Sequence, residues 1–284
     1  MNFHNANASV FVPDKRPLPQ ALKRITHLGI GAHADDLEFM AFQGIAVCYA
    51  SKSKSFGGVT CTDGRGSPRT GRYAKFSDAQ MVQVRRKEQE RAAVAGRYGL
   101  MIQLGYPSSV VKNPRDAALK NDLKQILSAT QPEVVYTHNP ADKHETHIGV
   151  VVAVLQGIRE APRALRPSTV WGCEVWRGLD WLPDEDKILM DVTGHASLAT
   201  KLHRVFQSQI GGGKRYDLAV LGRRRANATF LESHAGDRAK DLIFGIDLTP
   251  LVADDSRDIL GYVSAFIEKF KTDVQRKLRR RLGT

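Results

Sequence analysis

Apolar and polar positions follow two rhythms along most of this chain. Short apolar runs at 25 to 32, 56 to 62, 101 to 105 and 133 to 138 read as strands. Between them lie longer stretches, at 36 to 52, 78 to 98, 114 to 129 and 145 to 160, whose apolar residues recur at helical spacing. Leu119, Leu123, Ile126 and Leu127 fall at i, i+4, i+7 and i+8, and Pro132-Glu133 punctuates the chain before the next strand. Strand and helix alternating in this way predict βαβ units, and so an α/β fold: a Rossmann-like, doubly wound, mostly parallel sheet with helices on both faces.

The ends differ from the middle. Residues 1 to 20, with Pro13, Pro17 and Pro19 and no clear period, read as an extended or partly disordered lead-in. Beyond Pro167, two strands are expected close together in sequence, Thr169 to Trp176 and Ile188 to Val192, antiparallel or at a sheet edge. Helices are expected at 195 to 208, 213 to 232 and 255 to 281. The reading is one domain over 21 to 284, with a core at 25 to 165 and a C-terminal α/β elaboration at 166 to 284 ending in a basic helix. Trp171, Trp176 and Trp181 fall in this elaboration and read as packing residues, or with one of them walling a sugar-sized pocket.

A chain of 284 residues that is 42% hydrophobic can bury a substantial core. Its most apolar stretch, Ile148 to Ile158, is too short to span a bilayer, and no charged leader with an apolar core opens the sequence, so the expected setting is cytoplasmic. Cys48, Cys61 and Cys173 form no Cys-x-x-Cys pair and read as buried thiols rather than disulfides or zinc ligands. Net charge is 42 − 30 = +12, and seven basic residues against the single acid Asp273 lie between Lys269 and Thr284. Such a run is a solvated helix end at the negative pole of the helix dipole, or a weak contact for an anionic surface; no nucleic-acid partner is expected.

Candidate chemistry sits in two clusters. Gly31-Ala32-His33-Ala34-Asp35-Asp36-Leu37-Glu38 follows the first strand, and Asp142-Lys143-His144-Glu145-Thr146-His147 follows the strand at 133 to 138. Both are expected at the carboxyl edge of one parallel sheet, where open α/β folds place their sites. Gly29-x-Gly31-x-x-Ala34 satisfies the relaxed dinucleotide fingerprint, but Asp35 and Asp36 stand where a pyrophosphate would rest and would repel it. A helix cap explains one of these acids and not two, and adjacent acids repel unless a cation or a proton relieves them. His144 and His147, at i, i+3, face one side of a helical turn. A catalytic zinc takes three protein ligands and leaves a place for water; two histidines and one aspartate meet that count, leaving an acid and a histidine for proton transfer.

These residues resemble the PIG-L/LmbE family of zinc-dependent N-acetylglucosaminyl deacetylases, whose hallmark is Ala-His-Pro-Asp-Asp-Glu followed much later by His-x-Asp-His. Thr60-Cys61-Thr62-Asp63-Gly64 is similar to the family's Thr-x-Gly loop, and Arg85-Arg86-Lys87-Glu88 to its Arg-x-x-Glu element. The resemblance covers residues 25 to 160. It implies that His33, Asp36 and His147 bind zinc, that Asp35 is the general base, and that His144 stabilises an oxyanion or protonates the leaving amine. Arg85 would reach the substrate, unless it is an exposed helix charge paired with Glu88 or Gln89. Ala34 replaces the family proline, and Thr146 replaces the aspartate before the last histidine, a second-shell role that Asp142 is placed to take. His234 is a further candidate substrate contact. The implied reaction is metal-assisted removal of acetyl from a small-molecule N-acetylated amino sugar. A metal-dependent phosphoesterase and a non-enzymatic protein binding nucleic acid or membrane through its basic tail are the alternatives.

Overall fold

The computed structural model describes residues 1 to 232 and 234 to 284. In chain order its elements are β1 (Ser9–Phe11), α1 (Leu18–Lys23), β2 (His27–Gly31), α2 (Asp36–Met40), α3 (Phe42–Tyr49), β3 (Phe56–Thr62), α4 (Asp78–Ala95), β4 (Leu100–Tyr106), α5 (Ser108–Val111) and α6 (Ala118–Thr130). There follow β5 (Val134–His138), α7 (Glu145–Arg159), β6 (Thr169–Cys173), β7 (Lys187–Asp191), α8 (Ala196–His203), α9 (Gln207–Ile210), α10 (Tyr216–Thr229), β8 (Leu242–Asp247), α11 (Thr249–Ala253) and α12 (Ile259–Leu282).

One eight-stranded sheet carries the fold, in the order β1-β4-β3-β2-β5-β6-β8-β7. The five strands from β4 to β6 run parallel, and β1, β8 and β7 add antiparallel pairings at the two sides. β2 and β3 are buried along their whole length, as strands covered by helices on both faces must be. One core cluster runs from Leu28 and Ile30 to Leu123, Val150 and Val154, and the other packs Leu37, Phe42 and Ile45 against Phe56 and Tyr136. The α/β architecture expected from the sequence is therefore the one observed.

The chain winds outward from β2 through β3 to β4, then returns to place β5 on the other side of β2. The order reverses between β2 and β5, and the carboxyl ends of those two strands open onto the two candidate clusters. Open α/β sheets bind ligands in such a crevice. Gly29 serves packing here, because a Cβ on it would stand 2.7 Å from the Phe56 ring. The glycine pattern of the dinucleotide fingerprint thus reflects helix and side-chain packing against β2.

Several expectations are corrected. The lead-in is ordered: Ser9 to Phe11 pair with Met101 to Gln103, and Leu18 to Lys23 form α1. The helix expected over 36 to 52 breaks at Ala41 into α2 and α3, and that over 195 to 208 divides into α8 and α9. β8 was not foreseen. It lies between β6 and β7, pairing antiparallel with both, so β7 stands at the sheet edge as expected, whereas β6, expected antiparallel or at an edge, runs parallel to β5 inside the sheet. No helix among the described residues is long and apolar enough to cross a membrane.

Candidate metal centre

The turn after β2 delivers the first cluster. Asp35 takes a left-handed backbone, φ +90°, which strains a residue with a Cβ and is tolerated where the surroundings over-determine it. Here the Asp35 N–H donates to Gln89 Oε1 at 3.1 Å, and Gln89 in turn donates to the buried Glu38 Oε1 at 2.9 Å. Tyr98 also donates to that Glu38 oxygen. Burial pushes the Glu38 carboxyl up to about 7. This buried bridge ties the turn to α4.

With the turn fixed, Asp36 faces three imidazoles. Its Oδ2 accepts from the His33 backbone N–H at 2.7 Å and lies 3.2 Å from His33 Nδ1, 3.5 Å from His147 Nε2 and 3.4 Å from His138 Nε2. His147 Nε2 is 3.2 Å from His33 Nδ1. Burial alone would raise the Asp36 carboxyl, but His147 and His33 outweigh it and hold it well below the usual range. Burial pushes His147 down to about 4, which favours the neutral imidazole a metal needs.

Three donor atoms, His33 Nδ1, Asp36 Oδ2 and His147 Nε2, thus stand 3.2, 3.2 and 3.5 Å apart. Ligands about 2.0–2.1 Å from a tetrahedral ion are separated by roughly 3.3 Å. The donor set fits a zinc-sized divalent cation. Two further triplets, His33 with His144 and His147, and Asp36 with His138 and His147, also converge closely enough to hold one.

His138 is the residue the sequence reading missed. It ends β5, is fully buried, and stacks on His147 with ring centroids 3.8 Å apart. Its Nε2 accepts the Ala32 N–H at 2.9 Å, a bond that would have to be given up for this nitrogen to bind a metal. Its position at the end of an apolar strand beside the second cluster was the available signal. Asp142 places Oδ2 3.4 Å from His147 Nδ1 and accepts the His144 backbone N–H on Oδ1. The carboxylate thus stands beside the imidazole of His147, not that of His144.

His144 caps α7: its Nδ1 accepts the Thr146 N–H at 3.3 Å, which leaves Nε2 as the protonated nitrogen. Its ring lies 5.0 Å from that of His33 and 6.1 Å from that of Trp176. Arg85, expected to reach the substrate, is buried, and its bonds go to protein: Nη1 to Glu88 Oε2 and Ser208 Oγ, Nη2 to Asp35 Oδ2 at 3.0 Å and to the Ala34 carbonyl. Burial pushes the Asp35 carboxyl up, to about 6, against the pull of Arg85. His234 is exposed on the connection before β8 and, among the described residues, makes no hydrogen bond to the site.

Asp35 and Asp36 open into a cleft of about 230 Å³, walled by Phe39, Trp176 and Tyr216 with Lys143 and Arg223 at its rim. Trp176 and Tyr216 meet edge to face, centroids 5.2 Å apart. Of the three tryptophans, Trp176 is the one at the pocket; Trp171 packs on Tyr136 and Trp181 on the core. A larger groove, about 710 Å³, opens at the amino ends of β2, β3 and β4, away from this chemistry.

Comparison with known proteins places this geometry. Residues 28 to 158 match the model of the PIG-L family, described as GlcNAc-PI de-N-acetylase. No curated protein matches the chain by sequence. Among solved structures, the chain is similar to GalB, the 4-carboxy-2-hydroxymuconate hydratase of Pseudomonas putida KT2440, at 16% identity and TM-score 0.60, covering 79% of this chain and 96% of that one. It is similar to N,N'-diacetylchitobiose deacetylase from Pyrococcus horikoshii at 19% identity and TM-score 0.58, covering 80% and 86%. It is also similar to the zinc-inhibited form of the teicoplanin deacetylase Orf2 at 16% identity and TM-score 0.53, covering 78% and 97%. At these identities the likeness is one of fold. The family match supports an amide-hydrolysing deacetylase. The resemblance to the PIG-L family drawn from the sequence is borne out over residues 28 to 158, the stretch that holds every candidate metal ligand.

Proposed function

We propose that this protein is a metal-dependent N-deacetylase that removes acetyl from an N-acetylated amino sugar of the N-acetylglucosamine type, releasing acetate and a free amine. The observation that carries the reading is the convergence of His33 Nδ1, Asp36 Oδ2 and His147 Nε2 within 3.5 Å of one another at the sheet's reversal point. These three residues would hold the cation, zinc by the donor set, with Asp142 and His138 bracing His147. When bound, zinc supplies Lewis acidity, lowering the pKa of water toward ~7 and polarising the amide carbonyl.

The remaining residues move protons and hold charge. Asp35 lines the cleft with Oδ2 held by Arg85, so Oδ1 is the oxygen that takes the proton from the attacking water. His144, fixed as the Nε2–H tautomer by its cap, donates to the oxygen that becomes negative as water adds. The proton on Asp35 then passes to the nitrogen as the C–N bond breaks, so acetate and amine leave with the atoms of one water shared between them. Trp176 and Tyr216 give the sugar an aromatic wall. Lys143 and Arg223 favour a substrate with an anionic substituent. Three free, buried cysteines support a reducing, cytoplasmic setting.

The test is metal analysis of the purified protein combined with a panel of N-acetylated amino sugars, reading free amine and acetate. Amine and acetate release that stops with chelator and returns with zinc is the expected result. A phosphomonoester and an unsaturated carboxylic acid belong in the same panel, because the fold is shared with a hydratase. Phosphate release or hydration without amine release would overturn the reading.

A further inference from the structure

The feature that the centre does not absorb is α12. Asp258 caps it, its Oδ2 accepting the Gly261 N–H at 2.6 Å, and Gly283, at φ +71°, ends it. Its first turns are held down: Ile259, Tyr262 and Phe266 pack on the core, and the Tyr262 hydroxyl donates to the Asp247 carbonyl at 2.7 Å. Lys269 pairs with Asp186 and Glu185, the last tie to the body of the domain.

Past that tie Phe270, Asp273, Arg276 and Lys277 line a groove of about 520 Å³ with Asp180 and the segment 182 to 185, and the helix keeps an exposed apolar stripe. Ile267, Phe270, Val274, Leu278 and Leu282 fall at i, i+3, i+7, i+11 and i+15, one stripe of a helix, and are between 39% and 73% exposed. An apolar stripe left in water marks a surface made for a partner. Beside it, Lys271 pairs with Glu268, and Arg276 and Lys277 with Asp273, while Arg279, Arg280 and Arg281 have no carboxylate partner among the described residues.

We infer that α12 lies on an anionic phospholipid bilayer, with the stripe from Ile267 to Leu282 in the headgroup boundary and the arginines of its last turn on lipid phosphates. Apolar residues along one side and a cluster of uncompensated cations around the helix end match the two parts of such an interface. A second copy of the chain fits less well, because pairing the stripes would bury the apolar residues and offer no anion to Arg279, Arg280 and Arg281. Nucleic acid would engage the cations and leave the stripe in water. The inference does not depend on the deacetylase reading, since none of its residues touches the metal centre.

Sedimentation with vesicles tests it, using the full chain and comparing phosphatidylcholine alone with phosphatidylcholine containing phosphatidylglycerol. Binding is expected only to the anionic vesicles and is expected to weaken with added salt. Replacing Arg279, Arg280 and Arg281 by Glu should lower the partition coefficient by about a hundredfold or more, at roughly fivefold for each basic residue lost. The variant Phe270→Ser with Leu278→Ser should also bind the same vesicles more weakly, since the stripe supplies the second part of the affinity. These positions are exposed, so circular dichroism and metal content should match the parent. No binding to anionic vesicles, or equal binding to neutral ones, would overturn the inference. So would self-association that Leu278→Ser abolishes in place of lipid binding, or oligonucleotide binding stronger than vesicle binding and indifferent to the apolar substitutions.

Discussion

Arg85 Nη2 lies 3.0 Å from Asp35 Oδ2, and both side chains are almost completely buried. The guanidinium is shared with Glu88, also buried, so one cation sits between two carboxylates with little water to screen them. Removing one member of such a cluster strands the charges of the others, at a cost of about 3–5 kcal/mol. Arg85→Met should therefore lower stability by that order in chemical denaturation and release Asp35 from its strained turn. In the Asp35→Asn background the same substitution should cost less, because one stranded carboxylate is gone; equal costs in both backgrounds would show that the pair is not coupled.

Asp35→Asn should keep the metal and lose the reaction. The residue is not among the closest donor set, and a general base contributes about 10²–10⁴-fold. Metal content by elemental analysis, with kcat on whichever acetylated amino sugar is turned over, gives the two readouts. A variant with parental kcat would assign the base elsewhere.

His147→Ala and Asp36→Ala should instead lose the metal, each removing one of three donors. His138→Phe separates bracing from ligation: it keeps a flat ring against His147 but offers nothing to the Ala32 N–H. It should weaken metal affinity by about 10–100-fold, the usual effect of disturbing an outer partner, without abolishing binding. Competition with a metal-sensitive dye would measure each. Complete loss of the metal in His138→Phe would make His138 a ligand.

The pH dependence of stability has a separate source in His203. Burial, aided by the nearby Arg224 charge, pushes this imidazole down to about 3 from 6.5. A folded pKa below the unfolded one means that the unfolded chain binds a proton which the native chain refuses. The contribution is therefore fully present above pH 6.5 and is lost as pH falls from there toward 3, at up to about 1.4 kcal/mol per pH unit. Urea denaturation of chelator-treated protein at a series of pH values below 6.5 should show this decline, and His203→Phe should flatten it. An unchanged slope in that variant would place the titrating group elsewhere.

Alternating apolar runs and helical stretches were enough for the parallel strands β2, β3, β4 and β5, because these are almost wholly buried and read as short apolar blocks, whereas β6, expected antiparallel or at an edge, joins them as a parallel interior strand. The clusters at 33 to 38 and 142 to 147 were legible for a similar local reason: histidines and adjacent acids at strand ends have few structural uses. Which atoms meet was not legible. His33 and His147 are separated by more than a hundred positions, and only the reversal of strand order between β2 and β5 puts their nitrogens 3.2 Å apart. His138 went unnoticed because it sits inside a strand pattern, where a histidine is normally a packing residue, and its bond to the Ala32 N–H exists only across the sheet. Arg85 read as a helix charge or a substrate contact, since nothing in α4 alone says that the turn carrying Asp35 lies against it. β8 was missed because antiparallel pairing at a sheet edge depends on which distant strand arrives, a choice made by the packing of Leu242 to Ile246 between β6 and β7 rather than by periodicity. The sequence by itself determined the kinds of element and the kind of chemistry. The tertiary structure decided which side chains share a centre, because contacts between distant segments are set by the order in which the strands assemble.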